Sequence, residues 1–149
     1  MVLQTTATGA ETAAEVEDMK RSYRARVLST VEQNPLAFRS LVQELRADRA
    51  IALASVRRAG SMLEFASPAL RADRPTVAAA VESDGTALQF AAVELAGDRA
   101  IVLAAVAQCG EALRFASGRL RADPEFVLAA VGRTGGAVEW ADLLLRADR

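Results

Sequence analysis

The chain of 149 residues has no histidine, and Cys109 is its one cysteine. Without histidine it lacks both the side chain that titrates near neutrality and the commonest zinc ligand. A single thiol cannot form an intrachain disulfide or a thiolate–imidazole pair. Aromatics are 5% of the residues and Lys20 is the sole lysine, so fixed charge is carried by arginine, which favours planar pairings over loose, hydrated ones. The 18 basic and 19 acidic residues leave a net charge of −1, so no global field draws the chain to nucleic acid or an acidic membrane. The longest apolar run, residues 101–107, is far short of the roughly 20 residues that span a bilayer. The first twenty residues have no basic start followed by an apolar stretch, and they are too acidic for a transit peptide. Compartment is left open: a reducing interior is compatible, whether cytoplasm or an organelle after processing. Apolar residues do not alternate with polar ones over any useful length, which excludes a sheet.

What the chain does have is a repeat. "LRADR" stands at residues 45–49 and 70–74, "LAGDR" at 95–99, "LRADP" at 120–124 and "LRADR" at 145–149, each step 25 residues. At that period Val56, Val81, Val106 and Val131 share a column, as do Leu63, Leu88, Leu113 and Val138, and Phe65, Phe90, Phe115 and Trp140. Such self-similarity predicts an all-α solenoid in which each unit buries its apolar face on the next. Asp48, Asp73, Asp98, Asp123 and Asp148 precede the apolar stretches, where N-caps belong. A helix of about 11 residues should then run to a closing turn at Gly60, Gly85, Gly110 and Gly135, with glycine supplying left-handed backbone, and with Pro35 taking that place in a degenerate first unit. A second, short helix, partly 3₁₀, should start near Ser61, carry Leu63, Ala66 and Leu70 inward and break at the Pro68/Gly118 column. The expected layout is a flexible arm over 1–8, a long helix with the degenerate unit over 9–44, and four full repeats plus the start of another over 45–149. Thr8 and Glu11 form a capping box for that long helix, and Glu17 with Arg21 would support it at i, i+4.

Each chemical reading has a structural rival. Arg46, Arg71, Arg121 and Arg146 would align in one row, and Arg49, Arg74, Arg99 and Arg149 in another. An anion stripe at helix N-termini is one reading; arginines paired with the capping aspartates of adjacent units is the favoured one. Ser67 and Ser117 lack a base and do not make a nucleophile. Cys109 reads as a packed thiol, Glu15, Glu17 and Asp18 as a solvated helix face, and the Phe/Trp column as core. No residue set predicts a cofactor, a metal or an active site. The last full repeat is an ordinary one, so Trp140, Leu143, Leu144 and Leu145 form a candidate interaction face that a further unit, a second copy or a partner would cover.

The words Leu-x-x-Asp-Arg, Val-x-x-Ala-Val and Leu-x-Phe-Ala, over residues 36–149, resemble domain of unknown function 4116, a short helical repeat of protists and some bacteria. A looser similarity, through Asn34-Pro35, is to the leucine-rich repeat variant. The resemblance implies a helical solenoid for protein interaction and carries no catalytic residue. The expected function is a non-catalytic interaction or scaffold module with protein partners. The alternatives are an accessory subunit of a large multisubunit assembly, organellar by resemblance, and a weak anion or RNA binder acting through the arginine rows.

Overall fold

A computed structural model of the chain describes residues 9–134. Helix α1 runs over Gly9–Gln33 and leads into a 3₁₀ helix η1 (Pro35–Ser40) and a short turn α2 (Gln43–Arg46). The next unit is α3 (Arg49–Val56), η2 (Gly60–Phe65) and α4 (Pro68–Arg71). A third follows as α5 (Arg74–Ser83), η3 (Gly85–Phe90) and η4 (Leu95–Gly97). The fourth is α6 (Arg99–Gln108), η5 (Gly110–Phe115) and α7 (Gly118–Arg121), and α8 (Pro124–Val131) opens a fifth. The described residues hold no strand. Residues 1–8, Gly135, Arg146, Asp148 and the Trp140/Leu143/Leu144/Leu145 face lie outside them.

Each unit therefore has three pieces rather than two. The expected second helix is split by an extended residue, Ala66 or Ala116, into a 3₁₀ helix and a separate α turn. Ser67 and Ser117 start that turn: their Oγ atoms accept from the Leu70 and Leu120 amides at 3.3 and 3.4 Å. In the third unit Ala92 replaces the serine and Gly97 weakens the turn, which winds instead as the 3₁₀ piece η4.

Stacking joins each long helix to the next. Ala52, Val77 and Val102 are fully buried, as are Val56, Val81 and Val106 in the column beside them. Leu63, Leu88 and Leu113 close the same core from the 3₁₀ side. Each such valine or leucine contributes about 1.5–3 kcal/mol by leaving water. Residues 24–33 of α1 are the long helix of the first unit: Val27 and Val31 stand one period before Ala52 and Val56 and are buried with them. Backbone bonds tie the units as well. Ser67 donates its amide to the Arg46 carbonyl at 3.3 Å, Ala92 to that of Arg71 at 2.8 Å, and Ser117 to that of Ala96 at 2.8 Å. The Phe65, Phe90 and Phe115 column is only half-buried, at the edge of the core.

The glycine column works differently from the expected left-handed closure. No described residue, glycine included, has positive φ. The long helices end before the column, and Gly60, Gly85 and Gly110 are the first residues of the 3₁₀ helices. What requires glycine is close approach. A Cβ on Gly60 would stand 2.3 Å from the Ala80 carbonyl oxygen, and one on Gly85 would stand 2.2 Å from that of Ala105. Each glycine thus lies directly against the last turn of the next unit's long helix. At Pro35 the joint is made otherwise: the buried Ser55 hydroxyl, in the column of Ala80 and Ala105, donates to the Pro35 carbonyl at 2.8 Å.

Candidate functional site

The repeated Asp-Arg word forms one rim of the stack. Asp48 accepts from the amides of Ala50 and Ile51 at 3.0 and 3.3 Å, Asp98 from Ala100 and Ile101 at 3.0 and 3.2 Å, and Asp123 from Glu125 and Phe126 at 3.1 and 3.3 Å. Asp73 accepts from both the amide and the hydroxyl of Thr76. Each arginine that follows an aspartate reaches the aspartate of the next unit: Arg49–Asp73 at 3.1 Å, Arg74–Asp98 at 2.9 Å and Arg99–Asp123 at 2.9 Å. Arg24 on α1 makes the same pair with Asp48 and extends the ladder into the first unit. The arginine's hydrogen bond is the main reason that the carboxyls of Asp48, Asp98 and Asp123 are held below the usual carboxylate value. For Asp73 the largest cause is the Thr76 hydroxyl. Pairing raises Arg24 and Arg74 in turn. Helix N-termini that would attract an anion already hold these carboxylates.

The other arginine row is interrupted. Arg46, Arg71 and Arg121 are half-buried with Ala96 between them, and their Nε atoms are enclosed without a hydrogen-bond partner. Arg46 turns one terminal nitrogen toward the Phe65 carbonyl at 3.4 Å. These side chains lie in the seam between units rather than as an open stripe. Cys109 is half-buried at the start of η5, where the same column holds the capping Asn34 and Asp84. Glu17 pairs with Lys20 and Asp18 with Arg21 on the exposed face of α1, in place of the expected Glu17–Arg21 pair. Among the described residues no group of three or more acidic, cysteine or histidine side chains is placed to hold a metal, and no helix is long and apolar enough to cross a membrane.

A further surface is apolar and periodic. The runs "IALASV" and "IVLAAV" are apolar but for Ser55, yet only four positions of each turn inward: Ile51, Ala52, Ser55 and Val56, and Ile101, Val102, Ala105 and Val106. The two between them lie toward the outer side and are only partly covered, with Ala54, Leu103 and Ala104 packed on the edge of the core. Leu28, Leu53, Ala78, Leu103 and Leu128 therefore line up across successive long helices, with Ala54, Ala79, Ala104 and Ala129 beside them. Leu128 is 67% exposed and the other leucines of the row are half-covered. Between α1 and α3 this face dips into a groove lined by Leu28, Glu32, Leu53, Ala54, Arg57 and Arg58. The signal was in the columns: two apolar positions per repeat in excess of what one buried helix face uses.

No curated protein and no solved structure matches the chain. The family model described as Domain of unknown function (DUF4116) matches four times in tandem, at residues 24–71, 48–96, 73–121 and 98–146, each match spanning about two units and beginning near an Asp/Arg joint. Those matches cover most of the chain, which therefore belongs to the domain of unknown function 4116 family, as a tandem array of its helical repeats.

Proposed function

We propose that the chain is a non-catalytic protein-interaction module, a rigid stack that presents the leucine row of its long helices to a partner protein. The observation that carries this reading is the row itself. Leu53 and Leu103 are left half-covered and Leu128 is exposed, and apolar side chains repeated on an outer face are a liability unless something covers them. The paired rim supports a protein partner over nucleic acid, because Arg49, Arg74 and Arg99 are already engaged by aspartates and the ring beneath Arg99, that of Phe126, is fully buried and closed to base stacking. Membership of a large assembly is the same reading with a permanent partner.

The test is a quantitative pull-down from source extract with the parent chain and with a Leu53→Glu/Leu103→Glu variant whose melt matches the parent. The reading expects a stoichiometric partner retained by the parent and lost from the variant. Identical captures on both baits would sink it.

A further inference from the structure

Residues 9–23 of α1 have no counterpart elsewhere in the array. The later long helices start at an aspartate cap, but in the first unit the same column holds Tyr23 in mid-helix, and the family matches begin only at residue 24. At about 1.5 Å per residue the extension continues the helix some 20 Å upstream of the repeat position. It is not a uniformly polar rod. Val16, Met19 and Tyr23 are 41%, 69% and 57% exposed and line one shallow hollow with Lys20. They are spaced three and then four residues apart, the spacing of the seam positions in a paired helix. Charge changes sign along the same segment. Glu15, Glu17 and Asp18 come first, then Lys20, Arg21, Arg24 and Arg26. Within the chain Glu17 pairs with Lys20, Asp18 with Arg21 and Arg24 with Asp48, which leaves Glu15 and Arg26 beside the seam without an ion pair among the described residues.

A second copy laid antiparallel satisfies all of these features at once. With Met19 of one copy against Tyr23 of the other, Val16 stands opposite Arg26, which brings Glu15 of each next to Arg26 of the other, and acidic half meets basic half. The contact is isologous, so every gain is made twice. We propose that this chain self-associates through residues 15–26 of α1 as an antiparallel two-fold pair. The seam is short and belongs with interfaces below about 1,200 Å², so the dimer dissociates on dilution. It uses a different surface from the leucine row and stands or falls independently of it.

Sedimentation of the full chain from micromolar to millimolar concentration tests the proposal, with circular dichroism to establish that each variant is folded. The parent should pass from monomer to dimer. Met19→Glu, at an exposed position, should weaken the dimer about tenfold or more. Glu15→Arg alone should weaken it less, and adding Arg26→Glu should restore it. Residues 15 and 26 lie about 16 Å apart along one helix, so a parallel pair would not show that rescue. A parent that stays monomeric throughout, a dimer indifferent to Met19→Glu, or a charge swap that does not restore association would each overturn it.

Discussion

At the inner edge of the stack, Gly60 and Gly85 press their Cα atoms against the carbonyls of Ala80 and Ala105, leaving no room for a methyl group. At the outer edge, Arg49, Arg74 and Arg99 cross to the next unit through side chains that are more than half exposed. Both contacts recur from unit to unit, yet they hold the stack by different physics. Backbone against backbone has no slack, because main-chain atoms cannot turn away. A guanidinium on a four-bond stem has alternatives, and water and salt compete for its charge. Regular recurrence in the sequence therefore does not measure energetic weight.

The sharpest way to break the inner edge is Val106→Asp, which buries a carboxylate at a fully enclosed position with no partner. The expected cost is about 4 kcal/mol or more, read as loss of the cooperative thermal melt. A melt within a degree or so of the parent would mean the valine column is not the core.

Gly85→Ala comes next. Its methyl would meet the Ala105 carbonyl at 2.2 Å, and the forced shift should cost about 1–3 kcal/mol. Gly97→Ala is the matched control. There the nearest atom to the new methyl is the Ser117 Oγ at 3.6 Å, so the change should be neutral or stabilising by up to about 1 kcal/mol. Opposite signs in chemical denaturation would sharpen the contrast; equal costs would remove the steric account of the glycine column.

At the outer edge the local cap should outweigh the ion pair between units. Asp98→Ala removes two amide contacts together with the Arg74 pair and should cost about 1–2 kcal/mol, whereas Arg49→Ala removes an ion pair alone and should stay within about 1 kcal/mol and shrink further in high salt. Arg49→Ala proving the more damaging of the two would reverse that ranking.

The smallest effect is acid sensitivity. Asp48, Asp73 and Asp98 titrate lower in the folded chain than in the unfolded one. Their contribution is complete above the unfolded value of about 3.9 and is lost as pH falls through the lower folded values. Melts of the parent and of Asp98→Ala should therefore converge below about pH 4. A gap that persists unchanged in acid would mean that the cap acts without its charge.

Much of this was legible before any coordinates. The capping role of Asp48 and its repeats follows from an oxygen-bearing side chain placed before an apolar stretch, and the burial of Val56, Val81 and Val106 follows from their spacing. Those rules act within about one helical turn, so the local sequence suffices. The Arg49–Asp73 pair could be read only as one of two options, since it joins residues 24 apart in the chain. The glycine column was visible but its reason was not: left-handed closure and close approach leave the same letter in the sequence.

By itself, then, the sequence determined the period, the all-helical class, the caps and the inward-facing columns, because these depend on contacts made inside one unit. Only the tertiary structure decided how the units meet. It showed that glycine serves the carbonyl of the following unit, that Arg46, Arg71 and Arg121 sit in the seam while their neighbours pair along the rim, and that Leu53 and Leu103 are left only half-covered. The physical reason is distance along the chain. Each of these depends on an atom some 20 or more residues away, whose position is set by the stacking of whole units rather than by any local preference.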